Sequence, residues 1–307
     1  MEYLSPTTVE EASELLAARP DAEVFAGATD VIPQLRAGRA EPGALVDLKG
    51  IDRLVSVRAD DDGWTIGAAT PTADLTGNAD LSAEFPGLVE AAGLIGSDQI
   101  QNRSSLGGNL CNASPAADSV PAMVVNDMRA VVAGPGGTRT IPVVDVTTGP
   151  GSTSLGPGEF VVEFQLDHRP ANTGDAYLRL IPRTEMDIAV VGAGARLSFD
   201  NAGVCTSAAV ALGAVAPTVV RVPDAESALL GTTAGDILDN GDAMAVVAAA
   251  ATAACNPIDD KRGTVAYRRQ VAGVLARRAV TAATERAIAT NGTGTNGTGT
   301  NGTNGDS

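Results

Sequence analysis

Between residues 104 and 118 the chain reads Ser104-Ser105-Leu106-Gly107-Gly108-Asn109-Leu110-Cys111-Asn112-Ala113-Ser114-Pro115-Ala116-Ala117-Asp118. The run holds two adjacent glycines, several small hydroxyl and amide side chains, and one acid. Glycine lets backbone N–H groups approach a bulky anion with no Cβ in the way. Successive free N–H groups in such a turn form an anion-binding concavity, and Ser, Asn and Asp side chains bond a polyol or phosphate at fixed positions. The run reads as a loop that holds a phosphorylated cofactor. Cys111 reads as a small packing residue beside that cofactor rather than a nucleophile.

A second glycine turn lies upstream. Val24-Phe25 is short, apolar and strand-like; Ala26-Gly27-Ala28-Thr29-Asp30 follows, and Val31 to Ala37 has a helical pattern. A tight turn from strand to helix aims unpaired N–H groups and the positive helix end at one spot, where a phosphate fits. Taken alone, either segment is an ordinary glycine turn. The pair, in this order and separation, is more specific.

The pair Ala26-Gly27-Ala28-Thr29-Asp30 and Ser105-Leu106-Gly107-Gly108-Asn109 resembles the two FAD-binding signatures of the medium, flavin-carrying subunit of molybdenum hydroxylases, the family of aerobic carbon monoxide dehydrogenase and xanthine dehydrogenase. The resemblance continues through Ser114-Pro115-Ala116-Ala117-Asp118, Gly158-Glu159-Phe160-Val161, Ala176-Tyr177-Leu178-Arg179, Asp187 to Val191 and Ala211 to Thr218, and covers the chain to about Ala279. It implies that the first turn, Val24, Phe25, Ala26, Gly27, Ala28, Thr29, Asp30 and Val31, contacts the FAD diphosphate, with Gly27, Ala28 and Thr29 supplying N–H groups. The family usually has a second glycine where Ala28 stands, which implies a slightly less close approach there. In the main loop Ser104, Ser105, Gly108, Asn109, Asn112, Ala117 and Asp118 match flavin contacts, Cys111 lies among them, and Asp118 is the implied ribityl or ribose partner. Asp118 also reads as a helix N-cap. Ile95 and Gly96 match positions beside the adenine or the ring, Val161 one near the flavin edge. Arg179 matches a cation near the ring that would stabilise a reduced, anionic flavin; alone it reads as a solvated strand arginine.

The resemblance further implies an α+β chain: a two-subdomain FAD-binding fold of the PCMH (vanillyl-alcohol oxidase-like) type, then a C-terminal α+β domain of a three-stranded sheet with a helical bundle. The FAD-binding domain is placed at 1–168, with subdomains of about 1–50 and 51–168, and the C-terminal flavoprotein domain of the CO dehydrogenase type at 171–280. The implied activity is that of an FAD-dependent oxidoreductase subunit with no catalytic acid or base of its own. Molybdopterin and [2Fe–2S] clusters are expected on a large and a small partner subunit, in a dimer of heterotrimers, with electrons leaving through FAD to an external acceptor. The alternatives are a free-standing FAD-dependent oxidase or dehydrogenase of the vanillyl-alcohol oxidase type and a binding protein that kept the fold and lost FAD.

Composition sets the environment. The 307 residues suit two domains. No apolar run approaches the roughly 20 residues that span a bilayer, and the N-terminus lacks the basic and apolar segments of a signal peptide, so the expectation is a cytoplasmic protein with no membrane insertion. There are 37 acids against 21 bases, Asp outnumbers Glu by 24 to 13, and Lys49 and Lys261 are the only lysines. Such a surface disfavours nucleic acid and resembles that of proteins from halophiles, where salt screens self-repulsion. Cys111, Cys205 and Cys255 are widely spaced and His168 is the only histidine, so the expectation is no metal site in this chain. His168 reads as a surface residue at a strand end.

The elements that must position the two segments are legible from pattern. A helix ends at Ala18, and Ala44–Leu48 and Trp64–Ala68 read as strands. Thr70-Pro71 precedes a helix, Phe85–Leu94 and Pro121–Asn126 are helical, and Gly134-Pro135-Gly136-Gly137 reads as a hairpin turn between Ala130–Ala133 and Thr140–Val144. Glu159–Leu166 closes the first part. Gly192 and Gly194 lie in an alternating strand-like run, Ile188–Phe199, rather than in a dinucleotide-binding Gly-x-Gly-x-x-Gly. With Ala176–Arg183 and Ala208–Ala214 it makes three sheet-forming runs. Pro217–Leu230, Met244–Cys255 and Ala266–Ala289 have helical character, and the Gly/Thr/Asn repeats of 290–307 read as a disordered tail.

Overall fold

A computed structural model describes residues 1–39 and 41–289; the expectation attached to the Gly/Thr/Asn tail lies outside the described residues. Among the described residues the architecture is mixed α and β, with three larger sheets, a two-stranded ribbon of Thr147–Gly149 and Ser152–Thr153, and a helical C-terminal part.

The first sheet is small and parallel. Strand Ala44–Asp47 lies between Glu2–Leu4 and Ala22–Phe25, pairing Val46 with Leu4 and Val24. Parallel neighbours need crossovers: helix Val9–Ala18 supplies one, with the Thr8 hydroxyl capping Glu11 N, and helix Val31–Arg36 lies in the other. Val9, Ala12 and Leu16 bury their face against Val46, Leu48, Phe160 and Val162.

The second sheet has five antiparallel strands in the order Val57–Ala59, Gly63–Gly67, Phe160–Asp167, Arg129–Gly134, Gly137–Pro142. The proposed hairpin is present, with Gly134 opposite Gly137 and two residues between. A helical layer, Thr72–Thr76, Ala79–Glu84, Pro86–Gly93 and Ser119–Val125, packs Leu75, Leu81, Phe85, Leu88 and Met123 on one face of this sheet.

The third sheet corrects the expected three strands to four: Thr173–Leu180, Val191–Phe199, Cys205–Gly213 and a two-residue edge strand, Val220–Arg221. The helix expected from Pro217 starts only at Pro223, which occupies the first helical turn where its missing N–H costs nothing. The long helix Val265–Ala289 lies across the first two strands, with Ala272, Ala276, Ala279, Ala283 and Ala287 in one core with Ala193, Ala195 and Leu197. Gly192 and Gly194 are strand residues.

The main glycine segment is not a pure loop. Leu106–Cys111 is a short helix, capped by the Ser105 hydroxyl accepting from Gly108 N at 3.1 Å. Two glycines disfavour a helix by about 1 kcal/mol each relative to alanine. Tertiary contact compensates: Gly107 N donates to Ala68 O at 3.0 Å, and Leu106 and Leu110 are buried.

No described helix is long and apolar enough to cross a membrane, and no cluster of three or more His, Cys, Asp or Glu among the described residues could hold a metal.

Candidate cofactor cleft

The first glycine turn and the main glycine helix meet. A Cβ on Gly27 would stand 1.7 Å from Arg103 O and 3.1 Å from Ser104 N, so the turn lies directly against the backbone entering the second segment. Only glycine permits that approach. Gln34 Nε2, on the helix after the turn, donates to Asn112 Oδ1 at 3.3 Å and ties the far ends of the two segments.

Between them opens a cleft of about 530 Å³, within the usual range for small-molecule and cofactor sites. It is lined by Val24 to Val31, Ile95, Ser104, Ser105, Gly108, Asn109, Cys111, Asn112 and Val161. The N–H groups of Gly27, Ala28, Thr29 and Asp30 have no partner among the described residues, and Ala28 holds φ at 61°. Consecutive unpaired N–H groups through a left-handed residue form a nest for an anion. Asn109 Oδ1 accepts from the Ser119 hydroxyl at 2.7 Å and from Ser119 N at 3.2 Å, and the Asn109 amide N–H groups have no partner among the described residues. Gly108 is exposed, and a Cβ there would meet only Ser105 Oγ, at 3.2 Å.

The charged groups of the cleft wall are all acidic. Glu23, Asp30 and Glu159 line it, and no Lys or Arg does among the described residues. Desolvation holds the Glu23 and Asp30 carboxyls above their ordinary range. Glu159 lies at about 2, pulled down by Arg139, with Gly156 N as a further donor. An anion bound here is met by backbone N–H groups rather than by a side-chain cation. Burial pushes the Cys111 thiol up to about 12, which disfavours the thiolate that covalent attachment would need.

Four of the sequence-proposed residues lie outside the lining: Gly96, Ala117, Asp118 and Arg179. Gly96 takes a left-handed turn, φ 70°, over Ile100, and Ala117 is buried in the core. Asp118 stands at the N-cap of Ser119–Val125, yet makes no capping bond. Its Oδ1 accepts from Tyr177 Oη at 2.9 Å and its Oδ2 from Arg179 Nη1 at 2.5 Å. The expected cap is thus corrected: the side chain turns to the third sheet, where burial raises its pKa despite the adjacent guanidinium. Arg179 is correspondingly a buried, paired residue rather than a solvated one. His168 follows strand Phe160–Asp167 on the surface, bonded to Glu84 and to Asp60 O.

Sequence reasoning singled out Gly158-Glu159-Phe160-Val161 but gave Glu159 and Phe160 no cleft role, and it missed Gly151, Thr153, Leu155 and Gly156 of the far wall and the residue beneath the turn, Lys49. The stretch from Gly151 to Gly156 carries no recognisable spacing. Lys49 did carry a signal, being one of two lysines in an arginine-using chain.

Residues 1–167 match the family described as FAD binding domain in molybdopterin dehydrogenase, and 176–283 match CO dehydrogenase flavoprotein C-terminal domain. The chain is 31% identical to 6-hydroxypseudooxynicotine dehydrogenase complex subunit alpha of Paenarthrobacter nicotinovorans, over 93% of this chain and 95% of that one. It is 33% identical to the carbon monoxide dehydrogenase medium chain of Afipia carboxidovorans, over 93% and 97%. Among solved structures, a chain of the Hydrogenophaga pseudoflava carbon monoxide dehydrogenase that lacks the Mo-pyranopterin moiety superposes with a TM-score of 0.87 at 33% identity, covering 93% of this chain and 98% of that one.

Proposed function

The chain belongs to the family of FAD-binding medium subunits of molybdenum hydroxylases, and from that premise we propose that it is the electron-relaying flavin subunit of such a complex. It carries an FAD-binding domain and is an FAD-dependent oxidoreductase subunit of the carbon monoxide and xanthine dehydrogenase family. The observation that carries the finer reading is the meeting of Gly27 with Arg103 and Ser104, which sets two glycine segments on one cleft. The unpaired N–H groups of Gly27 to Asp30 would hold the diphosphate. Asn109, Asn112 and Ser105 would bond the hydroxyl-bearing chain, and Ile95 and Val161 would pack on ring faces. The chemistry FAD supplies is electron transfer, taking electrons singly from [2Fe–2S] clusters of a partner and delivering them in pairs to an external acceptor. This chain's own part is to bind, orient and shield.

Asp118 and Arg179 join this picture as positioning groups. Their buried pair ties the loop after the glycine helix to the third sheet, which supports the cleft wall from behind. A large molybdopterin subunit and a small iron–sulfur subunit would complete the assembly, in the cytoplasm of a salt-loving cell.

Two measurements test the proposal. The chain purified from its native cell should bring both partner subunits, and its yellow colour should pass into the supernatant on acid precipitation. A chain that purifies alone and turns over a substrate overturns the subunit reading; flavin that stays with the precipitate indicates covalent attachment and a free-standing flavoenzyme.

A further inference from the structure

Lys49 sits just after strand Ala44–Asp47, in the short turn Leu48–Gly50, and reaches back under the first glycine turn. Its Nζ donates to Ala26 O at 2.7 Å and pairs with Asp47 Oδ1, and it stands 4.5 Å from the centroid of the Phe25 ring. Asp47 is itself held, its Oδ2 accepting from Tyr3 Oη at 2.6 Å and its Oδ1 from Lys49 N at 3.0 Å. One side chain thus grips both residues that lead into Gly27.

The consequence follows from peptide geometry. The Ala26–Gly27 peptide is planar and trans, so its carbonyl and its N–H point in opposite directions. Fixing Ala26 O toward Lys49 turns the Gly27 N–H away from Lys49. That N–H is the first of the unpaired series Gly27 to Asp30. Because no Lys or Arg lines the cleft among the described residues, an anion there depends on neutral donors, and the direction of the turn's N–H groups counts among them. Lys49 is neutralised by Asp47 and does not line the cleft, so its contribution is orientation rather than charge.

We propose that Lys49 is a positioning residue for FAD, acting through the Ala26 carbonyl to aim the Gly27 N–H at the diphosphate. The inference rests on the FAD-binding reading above. FAD titrated into apoprotein, followed by quenching of flavin fluorescence, tests it alongside the unfolding midpoint of each apoprotein. Lys49→Met should raise the Kd for FAD about tenfold, because the Gly27 N–H loses its fixed aim at the diphosphate. Lys49→Arg, which keeps the cation and a donor, should recover most of that loss and melt within about 3 °C of wild type, whereas the Lys49→Met apoprotein, with the buried Asp47 carboxylate stripped of its counter-charge, should fold but melt several degrees lower. An unchanged Kd in Lys49→Met overturns the proposal, as does an equal loss in Lys49→Met and Lys49→Arg. A Lys49→Met chain that does not fold also overturns it, since Lys49 would then hold the fold and not the turn. Failure of the wild-type chain to bind FAD is a different result, which removes the functional reading itself.

Discussion

Gly27 and Arg103 touch through their backbones: a Cβ on the glycine would lie 1.7 Å from the arginine carbonyl oxygen and 2.4 Å from its carbon. Neither atom belongs to a flexible side chain, so the added methyl must push two main chains apart. Gly27→Ala should therefore cost about 1–3 kcal/mol of stability, as overpacking does, and weaken FAD at the same time. Gly108 is the informative contrast. Its missing Cβ faces the cleft with only Ser105 Oγ near, so Gly108→Leu should leave the fold intact and bleach the protein. Thermal melts and visible spectra of the two variants separate these effects; a coloured, stable Gly108→Leu protein would show that the cleft is not the flavin site.

Ala28 holds φ at 61°, in the left-handed region that costs a non-glycine residue about 1 kcal/mol. Ala28→Gly removes that strain but adds freedom to the unfolded chain, which offsets part of the gain. The expected net change is a rise of about 0.5 kcal/mol in stability, with FAD bound as tightly as before or tighter. Denaturant midpoints and an FAD titration check it; a clear loss of stability would mean that the turn is not strained in solution.

The two glycine segments, the Gly134–Gly137 hairpin and the three long strands of the third sheet were legible because each depends on local residue type: glycine where N–H groups must be bare, alternation where one face is buried. What was not legible depends on residues distant in the chain. Nothing local says that Asp118 turns to Tyr177 and Arg179 instead of capping its own helix. Nothing local says that Lys49 grips Ala26, or that Gly107 N finds Ala68 O and so allows a helix at two glycines. The edge strand Val220–Arg221 is likewise made by Ala211 and Leu212 accepting it as a neighbour, not by its own two residues.

Asp175 is the buried centre of another such contact. It accepts from Gly87 N at 2.8 Å, Leu88 N at 3.1 Å and Asn126 Nδ2 at 2.9 Å, and pairs with Arg169 Nη2 at 2.8 Å. Arg169 in turn lies 4.2 Å over the Phe85 ring. The network joins helix Pro86–Gly93 to strand Thr173–Leu180. Asp175→Ala would leave the buried Arg169 guanidinium without its counter-charge, and the expected cost is about 3–5 kcal/mol, a fall of roughly 10 °C in the midpoint. A drop of only a degree or two would mean that solvent reaches the guanidinium.

His168 gives a pH dependence of known sign. Its pKa is raised, first by the bond to Asp60 O and then by Glu84. A folded-state pKa above the unfolded value of about 6.5 means that the contribution is complete below pH 6.5. It fades as pH rises through the higher folded value, where the folded chain loses the proton it had held more tightly. His168→Gln should flatten this part of the stability curve and leave the rest in place. Midpoints measured at half-unit steps from pH 5.5 to 8.5 decide it, and a wild-type curve that climbs over this range contradicts the assignment.

Net charge predicts the response to salt. With 37 acids against 21 bases the folded chain carries a formal charge of −16, and compaction brings those carboxylates within reach of one another. The Debye length falls from about 10 Å at 0.1 M to about 3 Å at 1 M, so molar potassium chloride removes most of the repulsion between exposed groups. Salt also weakens favourable pairs such as Arg129–Asp167 and Arg19–Glu2, but exposed pairs contribute only about 0–1 kcal/mol each. Buried pairs such as Arg179–Asp118 are screened much less. Repulsion is therefore the larger quantity removed, and the unfolding midpoint should climb steadily from dilute to molar potassium chloride. A flat or falling midpoint over that range would mean that the acidic surface is not self-repelling enough to matter, and the halophilic reading would go with it.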